Sequence, residues 1–391
     1  MRILAVLERL APAGTEWQAT HVLGELSRRG HRVELVTLEG SPRGSDVSGL
    51  STALAEAGVE VSRLPTFHRW SLAEAGWKLG RRAAEMDADI IHGRLYFAGL
   101  AVAASKFACP TARRVVSFHN VIYDYPELRL LDHARKHVER AMLSATVDGF
   151  AAVSRGAAES YRRHHRLPKM PVIPNAVPDP QPSLRSRAEL SERHGLREDL
   201  PWIVVPARFV FEKSHDDLLT AAARLRGEGV AFQMFFPGRG PLLEAVISRI
   251  QAEGLEDEVV VPEESLPRVE LQEVFRQSAI VALPSKFEGF PNAAAEAMRV
   301  GAPVLGTEIP GFADLVVHGE TGWLVPPSQP GRLAEGLAHL LRAEGLRRDL
   351  GAAGQRFASD QLSLSTVVDR WETLYRAVLG DEDAKEGLGC S

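Results

Sequence analysis

Residues Ala282–Thr307 read ALPSKFEGFPNAAAEAMRVGAPVLGT, and the two carboxylates in this stretch, Glu288 and Glu296, have seven residues between them. Ile280–Leu283 is a short apolar strand, ended by Pro284 and Ser285. Phe287–Pro291 is a turn-rich loop. Asn292–Val300 predicts a short alanine-rich helix that stops at Gly301, a helix C-terminal glycine. Pro303–Thr307 starts the next strand. Glu288 therefore falls in the loop after a strand, and Glu296 about a turn into the following helix.

The free amides of that loop and of the helix N-terminus form a positive pole suited to a phosphate. Two carboxylates beside it suit polyols, because a carboxylate accepts hydrogen bonds from paired hydroxyls. A diphosphate with two sugars is a nucleotide-sugar. Either glutamate alone reads as a solvated surface residue. Both together, in this glycine and proline frame, read as a site.

The stretch resembles the glutamate-pair signature of the retaining glycosyltransferases of family 4, S-x-x-E-G-F-P-x-x-x-x-E-A-M-A-x-G-x-P-V. The match runs nearly throughout, with Arg299 where alanine is common. The resemblance implies an α/β protein of GT-B fold: two Rossmann-like, doubly wound domains facing across a cleft. Its last helix crosses back onto the first domain.

The chain of 391 residues is long enough for two or three domains. It is 45% hydrophobic and 25% charged, with a net charge of -5, so nothing global points to nucleic acid. Cys109 and Cys390 give neither a disulfide framework nor a metal cluster, and a cytoplasmic location fits. The N-terminus lacks signal-peptide anatomy, and no run of about 18 apolar residues predicts a membrane span. Peripheral contact with the inner membrane face stays open, and oligomeric state is unreadable.

Strands and helices alternate from Ile3 onward. Strands are expected at Ile3–Leu7, Arg32–Leu38, Val59–Pro65, Asp89–His92, Arg114–His119 and Gly149–Val153, with Val172–Ile173 as a last short one. Pro174–Ser186 is proline-rich and polar and reads as an interdomain linker. The alternation restarts at Trp202–Phe209, and two helices are expected to close the chain. The expected division is 1–178, an acceptor-binding domain, and 179–362, the nucleotide-sugar domain. Residues 363–380 are a helix packing back on the first domain, and 381–391 a frayed tail.

Arg208 follows a strand and Lys213 lies in the loop leading to a helix, so both cations stand where a sheet binds ligands. The family carries this pair in a G-R-L-x-x-x-K-G pattern that binds the donor diphosphate, and Ala207 and Ser214 replace its glycines here. Gly14 and Glu16 lie in AGTE, which is similar to the family's G-G-x-E loop. His119 stands just past a strand, where the resemblance implies a contact with the transferred sugar. His92 matches D-x-I-H-x-H only in part, since Arg94 stands at the second histidine. His92 is read as structural and Arg94 as an acceptor-side residue. Asp87-Ala88-Asp89 starts a strand rather than ending one and reads as surface charge. The run Tyr161–Arg166 reads as a solvated helix face. GRGP at Gly238–Pro241 fails the dinucleotide fingerprint because Leu243 occupies the third glycine position. Asn175 is read as a hinge residue.

The resemblance implies sugar transfer from a nucleoside diphosphate donor, UDP favoured and GDP open, to an acceptor hydroxyl of a glycan, glycolipid or small molecule. Arg208, Lys213 and the amides from Gly289 to Asn292 (through Phe290 and Pro291) would stabilise the departing diphosphate. Glu296 would bind the ribose and Glu288 the transferred sugar. No metal or other cofactor is expected. An epimerase on the same fold, a non-catalytic nucleotide-sugar module and a two-lobed exported binding protein are the competing readings.

Overall fold

The computed structural model describes residues 1–10, 14–38, 48–64, 72–121, 124 and 130–388. The chain divides into two compact units, Met1–Pro178 with Ser363–Ser391, and Asp179–Leu362. Each is a six-stranded, all-parallel sheet with helices around it.

In the first unit the strands are β1 (Arg2–Leu7), β2 (Arg32–Thr37), β3 (Glu60–Arg63), β4 (Ile90–Arg94), β5 (Arg113–Phe118) and β6 (Gly149–Ala152). Their order is β3-β2-β1-β4-β5-β6. The order reverses direction between β1 and β4, which pair with Ile3 opposite Ile90. The helices are α1 (Gly14–Arg28), α2 (Ser48–Glu56), α3 (Leu72–Glu85), α4 (Tyr96–Ala104), α5 (Leu130–Thr146) and α6 (Arg155–His165). Val172 forms a single bridge to Ala152 rather than a strand. Helix α2 was not expected. Its segment, SGLSTALAE, is rich in small and hydroxylated residues, so no wide apolar stripe announces it.

The second unit repeats the same winding. It contains α7 (Arg187–His194), β7 (Trp202–Val204), α8 (His215–Gly227), β8 (Gln233–Phe235), α9 (Leu243–Ala252), β9 (Val259–Val260) and α10 (Arg268–Gln277). Then come β10 (Ile280–Leu283), α11 (Asn292–Arg299), β11 (Val304–Thr307), β12 (Trp323–Val325), α12 (Pro330–Arg342) and α13 (Glu344–Gln361). The order β12-β11-β10-β7-β8-β9 reverses between β7 and β10. Strand β7 is shorter than expected. After Val205 its backbone leaves the ladder, where Phe209 N–H turns to the Arg239 carbonyl.

Helix α14 (Leu364–Leu379) belongs to the first unit. Its Val367, Val368, Trp371 and Tyr375 share a core with Ile3, Ala5 and Leu23. Arg29 Nη1 and His31 Nε2 hold Glu372 at 2.8 and 2.7 Å. The sequence reading is corrected at the tail. Glu382–Gly387 forms a further helix, α15, capped by Asp381 accepting from the Ala384 amide at 3.2 Å. Ala384 is buried there, which anchors a segment whose polar composition alone suggested fraying. Cys390 lies outside the described residues. None of the described helices is long and apolar enough to cross a membrane.

Candidate active site

In open parallel sheets a ligand crevice forms at the carboxyl ends of the strands where the strand order reverses. In the second unit that point lies between β7 and β10. The loop after β7 carries Arg208 and Lys213, and the loop after β10 carries Glu288, so the topology brings both sequence motifs to one place.

Glu288 is held from two sides. Ser285 Oγ donates to its Oε1 at 2.8 Å, and the Lys213 ammonium makes an ion pair with the same oxygen. Ser285 is itself fixed, its carbonyl accepting from Thr307 Oγ at 2.5 Å. The two loops are also stitched through the backbone, Lys286 N–H donating to the Glu212 carbonyl at 2.8 Å. Lys213 ends a 3-10 turn, Phe211–Lys213, and Ser214 follows at φ +53°. That left-handed conformation favours glycine, the family's residue at this position, and Ser214 adopts it all the same.

Arg208 is exposed and pairs with no carboxylate among the described residues. Its loop is braced from behind by Gly238 and Gly240. A Cβ on Gly238 would sit 1.8 Å from the Ala207 carbonyl oxygen, and one on Gly240 2.5 Å from that of Phe209. Glycine is thus needed here for close backbone approach, not for a dinucleotide fingerprint. Gly238→Ala should destabilise the protein by about 1–3 kcal/mol through overpacking, read as a lower urea midpoint. An unchanged midpoint would show that the Arg208 loop gives way freely.

The loop after β10 and the first turn of α11 supply the amides. Among the described residues the N–H groups of Gly289, Phe290 and Ala293 take no acceptor. The expected set, Gly289 to Asn292, is corrected in two places. Pro291 has no N–H, and Asn292 N–H donates to the Phe290 carbonyl at 3.0 Å. Ala293 joins instead. Gly301 stops this helical segment at φ +82°, as read.

Glu296 is 4% exposed and forms an ion pair with Arg268. Burial pushes its carboxyl above the usual glutamate range, and the Arg268 charge opposes that shift. Neither Arg268 nor the clamp role of Ser285 was anticipated. Ser285 stands inside the quoted signature, where its serine was the available signal. Arg268 begins a different helix, and nothing local links it to Glu296.

In the first unit Gly14 opens α1, and Ala11–Ala13 lie outside the described residues. AGTE is corrected from loop to helix start from Gly14 on. Glu16 is buried, and burial raises its carboxyl pKa while Arg9 counters it. Arg94 ends β4, and His119 follows the last residue of β5. His119 Nε2 lies 2.9 Å from Ser117 Oγ, which lies 2.9 Å from His92 Nε2, and His92 Nδ1 lies 2.8 Å from the Tyr375 hydroxyl. Both nitrogens of His92 are therefore used in the core. His119 is half-buried as a residue, and its Nδ1 is buried without a partner among the described residues. Burial and then the Arg94 charge push its imidazole down to about 3, so it is neutral at working pH. Asp87 and Asp89 both pair with Arg2, the latter at 2.7 Å. The Tyr161–Arg166 face is only half solvated. Arg162 and Arg163 are exposed, while Tyr161 stacks on Phe118 and His165 Nε2 lies 2.9 Å from buried Glu139.

Two Rossmann-like units, one carrying this carboxylate–lysine loop, define the class of GT-B glycosyltransferase folds. The model for Glycosyl transferases group 1 matches residues 186–357, and that for Glycosyltransferase Family 4 matches 12–179. The chain belongs to glycosyltransferase family 4. It is 30% identical to the D-inositol 3-phosphate glycosyltransferase of Xylanimonas cellulosilytica, over 69% of this chain and 67% of that one. It is 29% identical to the alpha-D-kanosaminyltransferase of Streptomyces kanamyceticus, over 49% of each. Several curated relatives are matched over 22% to 51% of their length. The Anabaena protein HepE, solved with UDP and glucose, superposes with a TM-score of 0.79 at 17% identity, covering 95% of this chain and 98% of that one.

Proposed function

We propose that this protein transfers a hexose-type sugar from a UDP-sugar to an acceptor hydroxyl, with retention at the anomeric carbon. The observation that carries the reading is the arrangement after β10. One carboxylate clamped by lysine and serine, a run of free amides and a second buried carboxylate follow each other at a sheet switch point. HepE, of the same fold, was solved with UDP-glucose, which favours uridine over guanosine.

Glu296 accepts hydrogen bonds from the ribose hydroxyls, and Glu288 from hydroxyls of the transferred sugar. The bond between the anomeric carbon and the diphosphate oxygen breaks, and the acceptor oxygen bonds to the same face. The acceptor's proton goes to the leaving phosphate. Arg208, the Lys213 ammonium and the Gly289, Phe290 and Ala293 amides stabilise the charge that develops there, the term that is usually largest in such transfers. These cations supply the charge without a metal, so the deciding experiment is calorimetric titration of UDP and GDP in EDTA. Binding of one nucleotide selects the donor base. Binding of neither, with or without divalent metal, ends this reading. Turnover of the donor without any acceptor would indicate an epimerase.

His119, neutral by burial, hydrogen-bonds a hydroxyl of the transferred sugar. Its replacement by alanine should lower kcat/KM about fivefold, the worth of one such bond of roughly 1 kcal/mol. The wild-type rate profile should show no histidine ionisation near about pH 6.5. A limb there that vanishes in His119→Ala would contradict the neutral role.

A further inference from the structure

Arg94, the last residue of β4, is 2% exposed. Its Nε and Nη2 are buried without a hydrogen-bond partner, and no carboxylate pairs with it among the described residues. Its Cζ lies 5.2 Å from the Trp371 ring centre, and the Tyr375 side chain also favours its charge. A guanidinium taken out of water without an acceptor is strongly unfavourable, far more so than an apolar side chain in the same place. Arg114, equally buried, differs: its Nε is also without a partner, but both of its terminal nitrogens donate, to the carbonyls of Ala112 and Cys109.

The position is a strand end, where open parallel sheets bind their ligands. Arg94 faces Ser117 in register across β4 and β5, at the carboxyl end of the sheet. Helix α4 opens two residues later, and among the described residues the Tyr96 and Ala98 amides take no acceptor. Glu8 Oε1 accepts from the amide between them, Phe97 N–H, at 3.0 Å. Leu95 between strand and helix has φ 72° and ψ 177°, a region essentially reserved for glycine.

We infer that Arg94 is an anion-recognition residue, and that the acceptor carries a carboxylate or phosphate group that its guanidinium receives. This rests on the transferase reading and specifies its acceptor. The donor diphosphate is matched in the second unit by Arg208, Lys213 and the α11 amides, which leaves the Arg94 charge for another ligand. Arginine suits such an oxyanion because its planar fork pairs with two oxygens at once.

The test compares wild type with Arg94→Met. Each is titrated with inorganic phosphate and, separately, malonate, with UDP saturating the second unit. Phosphate or malonate should bind the wild type and bind Arg94→Met at least tenfold more weakly. UDP affinity should agree within twofold. Unliganded Arg94→Met should melt no lower than wild type, since a partnerless buried charge has been removed. Equal anion binding by both proteins, or none by the wild type, overturns the inference. So does a tenfold loss of UDP affinity in Arg94→Met, which would hand the residue to the donor. A lowered melting temperature with anion binding intact would make Arg94 a structural cation on Trp371. UDP binding by the wild type is read independently, so failure of the donor reading is separable from failure of this one.

Discussion

Glu296→Ala should weaken UDP binding by one to two orders of magnitude. A carboxylate that accepts from hydroxyls makes charge-assisted bonds worth about 1.5–3 kcal/mol, which is roughly 10- to 150-fold in Kd. The geometry favours the upper part of that range. Glu296 is 4% exposed, its ion pair with Arg268 holds it in place, and it projects from the first turns of α11. The same burial predicts a pH signature. Because burial raises the Glu296 pKa, its ionised form is lost at a higher pH than for an ordinary glutamate. UDP affinity is therefore full above that raised value and falls as pH drops through it. Folding stability runs the other way, because the buried carboxyl prefers its proton. Its contribution is present at low pH and is lost as pH rises through the folded value. Glu296→Gln should lose the acid limb of UDP binding. A Kd that Glu296→Ala leaves unchanged would remove this residue from the donor site.

The second large effect belongs to Lys213. Its ammonium has three N–H donors, and Glu288 engages it in the unliganded protein. The remaining donors are available to the diphosphate. Removal of one preorganised donor of this kind costs about 2.7–4 kcal/mol in the transition state, or roughly 10²–10³ in rate. Lys213→Ala should therefore depress kcat/KM by that factor, chiefly through kcat. It also leaves Glu288, whose side chain is 12% exposed, with Ser285 as its recorded partner. The stranded charge lowers stability as well. The double variant Lys213→Ala/Glu288→Gln should regain stability but not rate. If the double variant also regained rate, the lysine would matter only as the counter-ion of Glu288.

The local grammar of the chain was largely readable. Strand β10, the helix after it and its glycine stop follow from an apolar run, a turn-rich loop and an alanine-rich segment, all short-range signals. Helix α7 is likewise fixed locally, because Ser186 and Glu189 make a capping box on the spot. Where burial rather than pattern decides, the reading failed. α2 lacks a stripe, β7 ends early because Phe209 N–H turns to the Arg239 carbonyl, and α15 is held by docking on α14.

By itself the sequence determined the doubly wound αβ alternation and the residue types of the site, because strand and helix periods and turn residues are local properties. The tertiary structure alone decided which charges meet. Lys213 pairs with Glu288 across 75 positions and Arg268 with Glu296 across 28, while Arg94 Nε and Nη2 meet no acceptor among the described residues. Strand order brings distant loops to one sheet edge, and burial sets what each charge costs there. Neither quantity is written in any window of neighbouring residues.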